Sequence, residues 1–471
     1  MSSLTQAFSL ALTGMRTSTN LIALTANNIS NANTAGYTAK SATVTTVEYG
    51  TEFGGSTISG YTRSTDQALT LNLVEATTEE GYFSAQKSYM QQVQSILDST
   101  SDNPDLSDQM SQFSAAWKQY AAEPESNIQK QNLVTTGNNL AKTINSIATK
   151  VNQLTSQVNN DIATSVTDLN ETLKQIQDIN RKIQSSTTSG QQTVNLQDNR
   201  DQLVYKVAQY MDITIQQRSN GQIALYTPSG KLLVDGGIGA ETFSFNGTTV
   251  LDSSGNDVRT ALIGGSLEAQ FNFIDTSASA ASSNVAGVGV IAKLNAQLST
   301  LVTGLTSGLF DTAYGAAVTD SLAGTQNGQT LDAHFFTASG LPLDPATFQV
   351  NANILAGTSG LPETNTQDIA DSLTNTANYS ASGLSATNVT YEELTTAILS
   401  NFQQTANSII DQNDTVTTQK SYYTETLANR TGVNIDTELS NLITYQNSYA
   451  AAAHIISTVN QMLTSLMQLV S

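Results

Sequence analysis

Apolar side chains recur in alternating steps of four and three at both ends of this chain, and the text between them turns from helical to β-rich. Near the start the positions are Leu4, Phe8, Ala11, Met15, Ser18, Ile22, Thr25 and Ile29. Near the end they are Ile435, Leu439, Leu442, Gln446, Tyr449, Ala453, Ile456, Asn460, Leu463, Met467 and Val470. Such a run stays on one face of a slightly underwound helix. A stripe opening at residue 4 and another closing at 470 have no flanking sequence to cover them, so both are expected to pair, with each other or with neighbouring copies. Their Thr, Ser and Asn content gives weak helix propensity, which predicts fraying in the monomer and order on assembly.

The same spacing organises the interior. After the first helix, ended by the Asn-rich run to Gly36, an extended Thr- and Gly-rich connector runs from Tyr37 to about Tyr61. A second helical block is expected to begin near Gly81 with Phe83, Met90, Val93 and Leu97, and Leu106, Met110, Phe113, Trp117 and Tyr120 repeat the stripe. Leu140, Ile144, Ile147, Val151, Leu154 and Val158 continue it, and Ile162, Val166, Leu169, Leu173, Ile176 and Ile183 resume after a phase shift. One helix over 127–185 would span on the order of 90 Å, a rod rather than a sphere. A short helix from Leu196 to Met211 leads into alternating Ile213 and Ile215, then Ile223 and Leu225, then Leu232 and Val234, an antiparallel meander. Helix returns over 285–310. Residues 311–390 read as loop-rich, apart from a strand at Phe348 and Val350 and a short helix at Ile369 and Leu373. Two helices close the chain, Tyr391 to about Asn429 and Asn434 onward, with Asp436 and Glu438 facing the positive end of the last helix dipole.

The fold class expected is mainly α with a smaller β part: elongated, terminal helices paired as a coiled coil, a long helical-bundle rod domain and a small antiparallel β subdomain. The domains expected are 1–60 with 432–471 as the inner terminal-helix domain, and 61–195 with 285–310 and 391–431 as the rod. Residues 196–284 make the short helix and meander, and 311–390 a reduced outer insert.

Composition narrows the function. Only 12% of the 471 residues are charged, against roughly a quarter in ordinary globular proteins. The net charge of -20 leaves no basic stripe to displace counterions from nucleic acid or to meet an anionic membrane. There is no cysteine, hence no disulfide, thiolate metal site or cysteine nucleophile. No run reaches the ~18 apolar residues of a membrane helix, so membrane insertion is not expected, and the start lacks a general secretory signal.

Candidate chemistry is sparse. His334 and His454 stand far apart with no Cys to complete a zinc set; His454 reads as an interface residue beside the terminal stripe, and His334, before Phe335 and Phe336, suits a packing role. Gly287-Val288-Gly289-Val290-Ile291-Ala292 has the letters of a dinucleotide fingerprint, but the small polar residues Ser277 to Asn284 are no preceding strand. Asp198, Arg200 and Asp201 form a dense charge group that reads as an ion-pair network. Trp117 and the helical Tyr residues fall on the stripes and read as core. No catalytic set, cofactor or metal site is expected.

The segment Ala26-Asn27-Asn28-Ile29-Ser30-Asn31-Ala32-Asn33-Thr34-Ala35-Gly36-Tyr37 resembles the N-terminal signature of bacterial flagellar rod, hook and hook-associated proteins. Gly432-Val433-Asn434-Ile435-Asp436-Thr437-Glu438, with Tyr445-Gln446-Asn447-Ser448-Tyr449, resembles their C-terminal signature. Within that superfamily, Leu196-Gln197-Asp198-Asn199-Arg200-Asp201-Gln202-Leu203-Val204 and the meander are similar to the hook-associated protein 1 type, the FlgK family. The stretch 311–390 is short for the large outer β domain some members carry. The resemblance implies a non-enzymatic structural subunit of the hook–filament junction, exported unfolded through the flagellar type III apparatus to an extracellular position. It implies a homo-oligomeric ring in the axis, contacts with the hook protein and a second hook-associated junction protein, and an export chaperone on the C-terminal helix. The expected assembly interface is Leu4, Phe8, Met15, Ile22, Ile29, Leu439, Leu442, Tyr449, Ile456, Leu463 and Met467. The expected signature residues are Asn27, Asn28, Asn31, Asn33, Gly36, Tyr37, Gly432, Asn434, Gln446 and Tyr449. A hook or distal-rod subunit, or a secreted helical effector or adhesin, are the rival readings.

Overall fold

In the computed structural model the four-three spacing is realised as helix. The structure describes residues 2–49, 52–98, 104–185, 190–218, 221–283, 285–320, 325–326, 329–340 and 342–470. The helices are α1 (Ser2–Ser30), α2 (Gln67–Leu97), α3 (Leu106–Ala122), α4 (Asn127–Ser185), α5 (Gln191–Tyr210), α6 (Gly265–Ile274), α7 (Ala278–Ala281), α8 (Val290–Ser307), α9 (Leu309–Asp320), α10 (Ala352–Leu355), α11 (Thr366–Thr374), α12 (Tyr391–Thr431) and α13 (Ile435–Val470). Strands β1 (Lys40–Tyr49) and β2 (Glu52–Arg63) form one antiparallel hairpin; β3 (Thr214–Gln217), β4 (Ile223–Tyr226), β5 (Leu232–Asp235) and β6 (Gly239–Ala240) form a four-stranded antiparallel sheet. The remaining pairs are small. As the four-three run of apolar positions indicates, α4 is one continuous helix of 59 residues.

Contacts divide the chain into two compact units, one of residues 1–81, 166–265 and 416–471, the other of 82–165 and 266–415. In the first, the meander forms as the alternation predicts, with Ile223, Leu225, Leu233 and Val234 buried, as are Leu169, Leu173 and Ile176 of α4. Gly230 supplies the positive φ (88°) of the turn between β4 and β5. Two asparagines of α4 hook β-region backbone. The Asn180 amide donates to the Ile223 carbonyl (2.9 Å) and accepts from its N–H (3.3 Å), and Asn170 does the same to Phe243 (2.7 and 2.8 Å). Each amide thereby satisfies strand groups that would otherwise be buried unpaired.

Two expectations change here. The connector after Tyr37 is a regular hairpin with strands of ten and twelve residues, its twist adjusted by register shifts at Thr43/Val44 and Val47/Glu48. And α2 begins at Gln67, not near Gly81. Gly81 looked like a boundary but is a contact glycine: a Cβ there would lie 2.3 Å from the backbone oxygen of Gln209.

The second unit is built on aromatic packing. Phe113, Trp117 and Tyr120 of α3 meet Phe310 and Tyr314 of α9 and the Phe335–Phe336 pair, all at most 1% exposed and mostly edge-to-face at 4.8–6.4 Å. Leu140, Ile144, Val151, Leu154, Val158 and Ile162 of α4 are buried as their spacing predicts. The stretch 311–390 is more ordered than its text suggested. It holds most of α9, then α10, α11 and several short strands including an antiparallel pair, Ala377–Ala381 with Leu384–Val389. In α9 the inward face is Phe310, Asp311, Tyr314, Ala317 and Val318, a helical spacing that the text hides because only three of the five are large apolar residues. His334 stays near the surface, its Nδ1 on Asp311 (2.9 and 3.0 Å). Before Gly287 stands the short helix α7 rather than a strand, so the glycines there serve α8: Gly289 is its left-handed N-cap. No helix of the protein is long and apolar enough to cross a membrane, among the described residues.

Candidate assembly site at the paired terminal helices

Helices α1 and α13 pack along one another in the first unit. Asn28, near the end of α1, bonds Glu438 in the first turn of α13, so the two run antiparallel. The buried residues of the two helices are Ala11, Thr17, Ser18, Leu21, Leu24, Thr25 and Asn28 on α1, and Ala452 with Val459 on α13. The large members of the predicted stripe lie elsewhere. Leu4, Phe8, Met15, Ile22 and Ile29 are half-buried, as are Leu442 and Ile456. Leu439, Tyr449, Leu463 and Met467 are exposed at 45, 40, 36 and 70%. Ile435, Ile443, Ile455, Met462 and Leu466 join them, which makes α13 apolar on its outside as well as its inside.

At one end of the pair sits a buried polar latch, and the signature residues build it. The Asn28 amide is 1% exposed and fully used: Nδ2 donates to the Lys40 carbonyl (2.8 Å) and Glu438 Oε1 (3.0 Å), and Oδ1 accepts from the Lys40 N–H (3.2 Å) and the Tyr37 hydroxyl (2.9 Å). Asn31 Nδ2 closes the end of α1 on the Asn27 carbonyl and side-chain oxygen (2.9 and 2.8 Å). Gly36 turns the chain at φ 75°, with the Gln202 amide in the place a Cβ would take. Lys40 Nζ stacks over the Tyr37 ring at 3.4 Å and reaches Asp198 Oδ2 at 2.5 Å. Asp198 also accepts from the Thr38 N–H and hydroxyl (3.2 and 2.8 Å) and from Arg63 (3.0 Å). Burial, reinforced by the carboxylates of Asp198 and Glu438, pushes the Tyr37 hydroxyl up to about 12. Burial pulls the Lys40 amine down against the opposing pull of Asp198.

The C-terminal signature frames the other side. The Ala39 N–H donates to the Thr431 carbonyl (2.8 Å), Gly432 closes α12 on Ala428, and Asn434 caps α13 by accepting from the Thr437 N–H (3.0 Å). Asn33 and Gln446 are exposed and take no part in the latch. The charge group Asp198–Asp201 is an ion-pair network, but a wider one than local sequence suggested, reaching Lys40 and Arg63, which face each other at the open end of the hairpin. Lys40 and Arg63 are the functional residues that sequence reasoning missed. The available signal was two isolated cations bracketing a Thr- and Gly-rich stretch whose only other charges are Glu48 and Glu52.

Residues 90–308 match the flagellar hook-associated protein FlgK helical domain, and residues 428–469 the flagellar basal body rod FlgEFG protein C-terminal family. Flagellar hook-associated protein 1 of Bacillus subtilis (strain 168) is 22% identical across 94% of both chains. The protein of the same name from Escherichia coli (strain K12) is 25% identical over 48% of this chain and 42% of its own length. Among solved structures, the flagellar hook junction protein FlgK from Burkholderia pseudomallei aligns with a TM-score of 0.43 at 16% identity, over 57% of this chain and 46% of that one. Paired terminal helices carrying the rod-type C-terminal segment, joined to a hook-associated helical domain, define a structural subunit of the flagellar axis. The chain belongs to the FlgK family of flagellar hook-associated proteins.

Proposed function

We propose that this chain is a structural subunit of the bacterial hook–filament junction, built into a homo-oligomeric ring of the axis by packing of its terminal helices. One observation carries the reading: α13 is already paired with α1, yet Ile435, Leu439, Ile443, Ile455, Met462, Leu466 and Met467 remain 43–70% exposed along it. Covering the exposed part of one such side chain contributes roughly 1 kcal/mol, so the row can supply on the order of 5–10 kcal/mol per subunit before the costs of association. The occupant is the terminal helix pair of neighbouring copies. Leu4, Phe8, Met15, Ile22 and Ile29 complete the interface from α1, with Leu442, Tyr449, Ile456 and Leu463 from α13. The work of the protein is packing geometry, without catalysis or cofactor. Hook protein on one side and a second hook-associated protein on the other are its neighbours. The absence of cysteine suits export as an unfolded chain, and a chaperone groove would take the apolar side of α13 through Leu439, Leu442, Ile456 and Leu463. The match of residues 90–308 supports the junction over a hook or distal-rod subunit.

The test is incorporation of Leu463→Asp and Phe8→Asp in cells lacking the native protein. Both variants should fold in the second unit, read by the fluorescence of Trp117, the chain's single tryptophan, and both should leave cells without filaments. Normal filament growth from either would overturn the reading.

A further inference from the structure

The non-helical link 432–434 between α12 and α13 has a different grip on each side of it. Just before it the Thr431 carbonyl accepts from the Ala39 N–H (2.8 Å), which roots the end of α12 beside the start of β1. Just after it Asn434 caps α13, and Glu438 Oε1 accepts from Asn28 Nδ2 (3.0 Å). A swing of α13 about this link leaves the Thr431–Ala39 bond in place but breaks the Glu438–Asn28 bond. Beyond Glu438 the helix packs chiefly on α1, and its buried positions are Ala452 and Val459.

Asn28 joins that helix to the rest of the latch. Its amide is 1% exposed, and its four bonds reach three parts of the chain: Glu438 on α13, the Tyr37 hydroxyl, and both backbone groups of Lys40 at the start of β1. The two bonds to Lys40 are the reciprocal pair that a residue of a neighbouring strand would make, so the amide closes the edge of the hairpin there. The contacts continue from Lys40: its ammonium lies over the Tyr37 ring and reaches Asp198 on α5, which also takes the Thr38 hydroxyl. When Glu438 leaves, one donor of a buried amide has no acceptor. That state is relieved by admitting water or turning the amide, and either one disturbs the bonds to Lys40 and Tyr37. The charges of the latch follow the same division. Lys40, Arg63 and Arg200 stand with Asp198, Asp201 and Glu438, and of these six only Glu438 belongs to the helix beyond the link.

We propose that α13 is a strap whose closure on α1 fixes the hairpin against α5, with the Asn28 amide as the connection. Seating α13 completes the amide and closes the latch. Whatever lifts α13 from α1 opens the latch, so that β1 and α5 loosen together while the root at Thr431 holds. The device rests on contacts within one chain, so it stands or falls separately from the reading of ring assembly.

The test uses the soluble full-length chain and amide exchange read by mass spectrometry on peptides from α13, β1, α5 and β4. Ala452→Asp buries a carboxylate about 21 Å along α13 from Glu438 and alters no latch group. It should accelerate exchange in α13 and, with it, in β1 and α5 by about ten- to hundredfold, the worth of one hydrogen bond to a charged group, while β4 in the meander keeps its protection. Glu438→Ala, which cuts the connection directly, should accelerate β1 and α5 by the same amount. In a chain already carrying Glu438→Ala, adding Ala452→Asp should move β1 and α5 by less than about twofold further. Exchange in β1 and α5 unmoved by either single change would overturn the proposal. So would an Ala452→Asp effect on them that is as large with Glu438→Ala as without it, or a β4 that accelerates as much as β1, which would mean that the whole unit opens.

Discussion

Asp198→Ala is the most informative single change in the terminal unit. The carboxylate takes four donors: the Thr38 N–H, the Thr38 hydroxyl, Lys40 Nζ and Arg63 Nη1. Arg63 keeps Asp201 at 2.6 Å after the substitution, but Lys40, fully buried, keeps only a carbonyl and the face of Tyr37. Removing one partner of a buried pair costs about 3–5 kcal/mol, a large share of the ~5–15 kcal/mol that holds a domain folded. With two compact units a single global transition is not assumed, so the assay is amide exchange in β1 and β2, which reads opening of this unit. Exchange should accelerate by about two to four orders of magnitude. The control is the double change Lys40→Met with Asp198→Leu. With no charge left unpaired it should recover most of the loss, short of about 1–2 kcal/mol for the Thr38 bonds. Less than tenfold acceleration in Asp198→Ala, or a double variant as unstable as the sum of the singles, would refute the reasoning.

Tyr37→Phe removes the hydroxyl bond to Asn28 and should destabilise the same unit by about 1 kcal/mol at neutral pH. The folded hydroxyl is raised to about 12 from 10.0, so its contribution is complete below pH 10 and lost as pH rises towards 12; Tyr37→Phe should make the alkaline fall in stability shallower, measured by urea midpoints from pH 9 to 12. It should not abolish the fall, since Tyr205 and Tyr210 are raised to about 12 by burial as well. Gly81→Ala, which in an open helix would gain ~1 kcal/mol, should instead lower the melting temperature, because its methyl group meets the Gln209 backbone. In the second unit Trp117→Ala should cost about 3–5 kcal/mol, visible as early loss of the Phe and Tyr near-ultraviolet dichroism, since it opens a cavity among five aromatic rings that cannot close around it.

Helices whose buried faces are large and regular were legible from the chain alone: α3, α4, α8 and the last two all stand close to where their spacing puts them. The elements that escaped share a physical cause. Helices α6 and α9 are short, and their inward faces mix large apolar residues with small or polar ones such as Asp311 and Ala317, so the period has little contrast in the text. The hairpin after Tyr37 is Thr-rich on both faces and leans on α1 with one of them, so its alternation carries little contrast. The latch was half legible. Asn28 and Tyr37 stood out as signature residues and Asp198 as part of a charge cluster, but nothing local says that residues 28, 40, 198 and 438 meet. That juxtaposition belongs to the tertiary fold.

The terminal stripe itself shows what a one-dimensional pattern merges. Read as a single face, it assigns Leu439, Tyr449, Leu463 and Met467 to the same contact as Ala11, Ser18 and Thr25, whereas the structure separates them. On α13 the buried positions are Ala452 and Val459, and the pair ends in the Asn28–Glu438 bond. The large residues are left half or wholly exposed. An amphipathic helix serving only its own core would bury its largest side chains first. Here the order is reversed, so most of the apolar area of α13 is withheld from the monomer. In the proposed ring that withheld area is what would join neighbouring copies, while the Asn28–Glu438 bond holds the pair itself.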